Sequence, residues 1–394
     1  MVAASLDQTV RSTLAALEHA GLTRALPVVV RGRDTQVRYN GLPALDFSSN
    51  DYLGLARDPR VAGALAGAAL TEGAGAGAAR LISGNHPLHE RLEEALAAFK
   101  GAEAALLFSS GYLANLGTLP ALMDAGDALY ADELNHASLV DGARLTGAER
   151  RIFPHGDLDA LERLLEADRG RVRHRLIAVE GLFSMGGDLF PLAELVQLAR
   201  RHDAWTYVDD AHGTGVLGAG GRGALEHLGV EGAVDVVMGT LSKALGTAGA
   251  FVAASRSVIE CLRNRARSFV FTTASPPALA AAALAALRIA AEEPWRRERV
   301  RANARRLREA LAALGCTAGG APDSPVVPVV VGEAAGAVRA SRALARHGFL
   351  VGAVRPPAVP RGTARLRLSL SASHEPAQVD ALAEAVAEAL PPRR

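Results

Sequence analysis

Between about residues 100 and 255, short apolar β-type runs alternate with stretches of helical periodicity. AALLF and DALYAD each lead into a helix, RRIF precedes DLDALERLLEAD, and RLIAVEG, the helix LAELVQLARRHD, AWTYVDD, VDVVMG and AGAFVAAS follow. Strands separated by helices in this way form a mostly parallel sheet covered by helices. Ligands of such sheets sit beyond the carboxyl ends of the strands, so the residues just after each run are where chemistry is expected. After a helical stretch over 277–315 the pattern changes to SPVVPVVVG, a further helix, FLVGAV, the alternating ARLRLSLSA and a last helix, which together read as a compact α+β unit. The expected organisation is an N-terminal segment over 1–50, a large α/β domain over 51–290 and a small α+β C-terminal domain over 291–394. The N-terminal segment carries an amphipathic helix and short strands, which are expected to pack on the α+β unit or on a partner subunit.

Composition removes several classes of function. The 394 residues carry 43 basic and 42 acidic side chains, a net charge of +1, so charge alone implies no nucleic-acid partner. The longest apolar run, ALAAAALAAL at 278–287, is mostly alanine and well short of the roughly 20 residues that span a bilayer. It reads as a buried helix, and no membrane partner is expected. The N-terminus lacks the basic start and apolar stretch of a signal peptide. Cys261 and Cys316 are too few for a disulfide framework, and no Cys/His spacing suits a metal. A cytoplasmic protein without a metal is expected.

All but two of the 43 basic residues are arginine; the lysines are Lys100 and Lys243. A guanidinium cannot lose a proton and form a Schiff base, so a site that needs an amine must keep its lysine. Lys100 ends the amphipathic segment LEEALAAFK just before Gly101 and reads as a helix-terminal cation. Lys243 follows the strand run VDVVMG, in TLSKALG, where glycine lets backbone approach a ligand.

The neighbouring run AWTYVDD ends in Asp209 and Asp210, with His212 shortly after. Taken singly, each feature has a structural explanation: an acid pair capping a helix, a satisfied core histidine, a solvated loop cation. Taken together they fit a pyridoxal phosphate site, in which lysine forms an imine, a carboxylate keeps the ring nitrogen protonated and a histidine reaches the phenolic oxygen. Gly111 and Tyr112, where AALLF turns into a helix, could offer backbone donors to a phosphate. Ser184 and His136 follow two more strands, and an imidazole face can stack on an aromatic ring. In ARLRLSLS the alternation puts Arg365 and Arg367 on one face, where one of them could grip a carboxylate. The glycine loop EGAGAGAAR at 72–80 follows a helical stretch instead of a strand, which weakens a dinucleotide reading.

The ordered set SSNDYLGL, LFSSGYLAN, LNHASLVDG, EGLFSMGGD, VDDAHGTGVLG and TLSKALG resembles the α-oxoamine synthases, pyridoxal phosphate-dependent transferases of fold type I. The resemblance runs from about residue 45 to the end of the chain. It implies Lys243 as the imine lysine, Asp209 as the ring-nitrogen partner, His212 and Ser184 at the phenolic oxygen and His136 as the stacking group. It further implies Gly111, Tyr112 and Thr240 on the phosphate, with Thr273 of FTTASPP reaching in from a second subunit of a homodimer. Arg367 matches the carboxylate-binding arginine, and Arg24, Asn50 and Ala358 match substrate contacts. RPPAVPRGTARLRLSLSASHE most resembles the branch that joins L-alanine to a pimeloyl thioester in biotin biosynthesis, with glycine-using acyltransferases as close relatives. The family often has threonine at the position of Ala358 and serines at those of Ala78 and Ala79, so the departure falls on acyl-chain recognition.

Overall fold

A computed structural model describes residues 5–390. The N-terminal segment contributes the helix Leu6–His19 and strands β1 (Val29–Arg31), β2 (Gln36–Tyr39) and β3 (Leu42–Asp46). The central block carries β4 (Ala104–Phe108), β5 (Ala128–Asp132), β6 (Glu149–Phe153), β7 (Arg175–Glu180), β8 (Trp205–Asp209), β9 (Val236–Thr240) and β10 (Ala250–Ala254). The C-terminal unit adds β11 (Val326–Gly332), β12 (Phe349–Leu350), β13 (Gly352–Val354) and β14 (Ala364–Ser369).

The central strands form one seven-stranded sheet in the order β4-β10-β9-β8-β7-β5-β6. Neighbours from β9 to β6 are parallel, while β10 runs antiparallel to both β9 and β4. Alternate residues of one strand enter opposite cores: Ile177 and Val179 of β7 face one apolar cluster, Leu176 and Ala178 the other. Helices cover both faces, so these strands read as continuous apolar runs. The alanine-rich stretch is the largely buried helix Pro277–Glu292, packed on the helix Pro59–Glu72.

The N-terminal segment joins the C-terminal unit through the sheet itself, because β3 pairs in parallel with β12, Leu45 opposite Phe349. His374 seals this junction. Its Nδ1 accepts from the Ser371 amide at 2.9 Å, so Nε2 carries the hydrogen and donates to the Asp46 carbonyl at 3.1 Å. The ring stacks on Phe47 at 3.8 Å, and burial pushes its pKa down to about 4, which keeps it neutral. Further on, β14 pairs with β11 and β13 in a three-stranded antiparallel sheet. Leu366, Leu368 and Leu370 are fully buried on one face, as the alternation predicts.

Two charge arrangements fix the loops beyond the strand ends. Lys100 does end a helix, Pro87–Lys100, with Gly101 in the left-handed conformation behind it. Its side chain, however, is only 4% exposed and turns inward to a fully buried Asp210, with Nζ 2.8 Å from Oδ2 and 2.8 Å from Thr214 Oγ1. Asp210 Oδ1 in turn accepts from the Ala224 amide at 3.1 Å. The expectation of a simple helix-terminal cation therefore needs correcting. Asp-Asp divides its work, with Asp210 turned away from the site to anchor the glycine-rich loop that carries His212. On the opposite side His155 bridges Asp132 at 3.0 Å and Asp188 at 2.8 Å, and those two carboxylates push its pKa up to about 10. Its ring meets Phe183 edge-on at 4.4 Å.

Replacing Lys100→Met leaves a buried carboxylate without its cation and should destabilise the protein by roughly 3–5 kcal/mol. Urea unfolding measures this, and Lys100→Met/Asp210→Asn should recover part of the loss; a loss below about 1 kcal/mol would contradict the assigned role. The His155 bridge has the opposite sign to a depressed acid. Its stabilisation is complete below the unfolded histidine pKa of about 6.5 and fades as pH rises through about 10. The stability gap between the parent and His155→Gln should accordingly narrow from pH 6.5 to pH 10, whereas a constant gap would contradict the bridge.

Candidate active site

The carboxyl ends of β5, β7, β8 and β9 and the start of the helix Gly111–Leu122 line one cleft. Its walls include Gly111, Tyr112, His136, Glu180, Asp209, His212, Thr240 and Lys243. Parallel register explains the convergence, since Glu180 of β7 lies opposite Asp209 of β8, and Asp209 opposite Met238 of β9. Lys243 lies three residues beyond the end of β9. Its loop folds back tightly: Gly246 has φ +63°, and a Cβ there would overlap the backbone nitrogen of Ala56.

Electrostatics in the cleft follow from burial. Asp209 Oδ2 accepts from Asn115 Nδ2 at 2.8 Å and Oδ1 from the Ala211 amide at 3.0 Å, while the Tyr207 hydroxyl holds Asn115 Oδ1 at 2.6 Å. Desolvation raises the Asp209 carboxyl above its usual range, opposed first by the Lys243 charge. Desolvation also pushes the Lys243 amine below its usual range, against the pull of Asp209 and Glu180. An amine held this way is a ready nucleophile toward an aldehyde.

The histidines are neutral for definable reasons. His136 caps the helix Ala137–Leu145, its Nδ1 accepting from the Ser138 amide at 3.2 Å, and burial lowers its pKa. His212 Nδ1 lies 2.7 Å from Tyr52 Oη, the shortest of that hydroxyl's three contacts, the others being Asn50 Oδ1 at 3.2 Å and Arg367 Nη2 at 3.4 Å. Giving the tyrosine proton to His212 Nδ1 leaves the hydrogen on Nε2 as a donor, and desolvation holds His212 well below the ordinary histidine range.

Arg367 is buried. Its Nε donates to the Ser184 carbonyl at 2.7 Å, Nη1 to Ser369 Oγ at 2.8 Å and Asn50 Oδ1 at 3.2 Å, and Nη2 reaches Tyr52 Oη at 3.4 Å, the longest of the four. Nη2 is thus the edge most available to an incoming carboxylate. Arg365, two residues earlier on β14, faces a second cleft with Ala358, Phe183, Asp188 and Asn135. Asn135 Nδ2 donates to the Ala178 carbonyl at 2.8 Å, while its buried Oδ1 has no partner. Asn135 and His136, adjacent in sequence, therefore face the two clefts.

Lys243, Asp209, His212, His136, Thr240, Gly111 and Tyr112 come together in one cleft, with Ser184, Asn50 and Arg367 tied to it by hydrogen bonds. Tyr112 lines it, and its half-exposed side chain donates to Asp141. Arg24 is exposed in the N-terminal segment, and Thr273 lies in a separate depression beside Ser109 and Gly249. Neither joins the cleft of its own chain. Sequence reading missed Asn115, Tyr52 and Glu180. All three stand inside motifs already singled out, and Glu180 is the last residue of a strand run, the position most worth reading.

These residues fit pyridoxal phosphate by their chemistry. They supply a desolvated amine, a buried carboxylate held by donors, a neutral imidazole donor and, at the helix start, the Gly111 and Tyr112 amides beyond the Ser110 cap.

Comparison with known proteins agrees. The aminotransferase class I and II family model matches residues 43–386. The 8-amino-7-oxononanoate synthase of Alkalilimnicola ehrlichii is 51% identical over 99% of this chain and 100% of its own length. That of Methylococcus capsulatus is 51% identical over 96% and 98%. Among solved structures, a serine palmitoyltransferase from S. paucimobilis with bound PLP superposes with a TM-score of 0.92 at 34% identity over 98% of both chains. An 8-amino-7-oxononanoate synthase from Francisella tularensis gives 0.76 at 28% identity over 88% of this chain and 97% of that one. Fold, cleft chemistry and these relatives together show that the chain belongs to the class I and II aminotransferase family, as a pyridoxal phosphate-dependent acyltransferase of fold type I with the 8-amino-7-oxononanoate synthases among its relatives.

Proposed function

We propose that the chain makes 8-amino-7-oxononanoate for biotin biosynthesis by decarboxylative condensation of L-alanine with a pimeloyl thioester, carried on CoA or a carrier protein, releasing CO2 and the free thiol. The observation that carries this reading is a desolvated lysine amine in a cleft to which a buried arginine, Arg367, is joined through Tyr52 and His212, in a chain about half identical to synthases of that name over nearly its full length.

Pyridoxal phosphate, when bound, supplies an electron sink for charge developing at the amino acid's α-carbon. Lys243 Nζ would be the point of covalent attachment for the group, and the same amine, when free, would take the α-proton as general base. Asp209 holds the proton of the ring nitrogen, and the Asn115–Tyr207 contacts keep that carboxylate aimed. His136 would hold the ring by its imidazole face, while His212 and Ser184 would serve the phenolic oxygen. The Gly111 and Tyr112 amides and Thr240 hold the phosphate, with Thr273 of a second chain. Arg367 takes the alanine carboxylate beside Asn50.

The second cleft, with Ala358 and the unpartnered Asn135 oxygen, receives the acyl donor, with Arg24 as a further contact. A homodimer is part of the proposal. Arg24 and Thr273 both lie away from their own chain's cleft, and Leu6, Val10, Leu14 and Leu17 form an exposed apolar stripe on the first helix. No helix among the described residues is long and apolar enough to cross a membrane.

The test is thiol release from a panel of acyl-CoA thioesters with L-alanine or glycine as co-substrate. The reading predicts preference for alanine with the pimeloyl donor and loss of turnover in Lys243→Ala. Preference for glycine with a shorter acyl group would contradict the substrate assignment, and near-normal turnover of Lys243→Ala would contradict the role of the amine.

A further inference from the structure

Glu180 is a buried carboxylate that the mechanism above does not use. It closes β7 with 2% of its surface exposed and lines the cleft beside Asp209. Among the described residues no arginine, lysine or histidine forms an ion pair with it; its two oxygens are taken by backbone. Oε1 accepts from the His136 amide at 2.6 Å and Oε2 from the Ser184 amide at 3.0 Å. Desolvation and the neighbouring Asp209 charge push its carboxyl up to about 8, against the Ser184 and His136 amides and the Lys243 charge, so the two-acceptor carboxylate is complete as pH rises through that value and binding is compared on that side of it.

The two amides belong to different loops. His136 follows β5, and Ser184 follows β7. Among uncharged or charged side chains only a carboxylate presents two equivalent acceptor oxygens and no donor, the arrangement that receives two converging N–H groups. The Ser184 carbonyl then accepts from Arg367 Nε at 2.7 Å. A continuous set of bonds thus runs from the His136 amide through Glu180 and Ser184 to the guanidinium.

We infer that Glu180 is a positioning residue, its carboxylate latching the two loops so that the Arg367 guanidinium and the His136 imidazole are held at one fixed separation for an amino acid bound between them. The inference rests on the reading of Arg367 as the carboxylate-binding group. Misplacing a positioning contact by about 1 Å is enough to cost on the order of 10²-fold in rate.

Glu180→Gln keeps the volume but turns a donor toward one amide, and Glu180→Asp keeps the charge on an arm too short for both. Amino-acid binding is read from the absorbance of the cofactor-loaded enzyme, using whichever of L-alanine, glycine or L-serine binds the parent most tightly, with ethylamine as the carboxylate-free control. Both variants should still load with cofactor, less tightly because Glu180 also holds His136 and Ser184, and at full loading should weaken the amino acid by roughly tenfold, equivalent to about 1.4 kcal/mol, beyond any change in ethylamine, with the acyl-donor KM unchanged. In an Arg367→Lys background the effect of Glu180→Gln should shrink to within about twofold, because the two residues act as one unit. Unchanged amino-acid binding in a loaded variant, equal weakening of ethylamine, or full additivity with Arg367→Lys would overturn the inference. A parent that binds glycine or L-serine instead of alanine would overturn the substrate proposal and leave this test intact. If only one variant folds, that variant decides the matter.

Discussion

The site depends on two opposite charges kept out of water at neighbouring strand ends. Asp209 and Lys243 each have an environment that disfavours ionisation, and each is the main influence drawing the other toward its charged form. A carboxylate in bulk solvent would bind a ring nitrogen's proton weakly, and a lysine in solvent would be fully protonated and a poor nucleophile. Burial gives both groups their chemistry, and the parallel sheet makes the burial possible. Its central strands are covered on both faces, so the groups that line the cleft emerge at or just beyond their carboxyl ends.

The surrounding structure holds that pair in place. Asn115 and Tyr207 orient Asp209 from the helix and strand behind it. Lys100 and Asp210 fasten the following glycine-rich loop from the far side, and Gly246 lets the lysine loop lie directly on the segment at residues 55–56. The stretch just after β3 enters by the same logic. Tyr52 joins His212 to Arg367, so a residue from near the start of the chain connects the cofactor side of the cleft to a strand from near its end.

Sequence reading recovers what has a period or a position. The sheet was legible because its strands recur between helical patterns, and Lys243, Asp209 and His212 because they follow strand runs. Scarcity of lysine added independent weight to Lys243. Lys100 was misjudged for an instructive reason: helix-end position is visible in sequence, but the direction a long side chain takes is not, and its partner lies 110 residues away. Glu180 and Asn115 escaped because their value comes from hydrogen bonds to other loops and strands. Backbone amides and a tyrosine hydroxyl carry no spacing signal. Arg24 and Thr273 lie apart from the cleft of their own chain, and no single-chain pattern encodes what they would meet.

The central claim is a covalent bond at one nitrogen. Borohydride reduction of the loaded protein followed by peptide mass spectrometry tests it most directly. The account predicts a reduced pyridoxyl adduct on the peptide containing Lys243 and none on the peptide containing Lys100. A fully loaded protein whose adduct lies on Lys100, or on neither lysine, would contradict it.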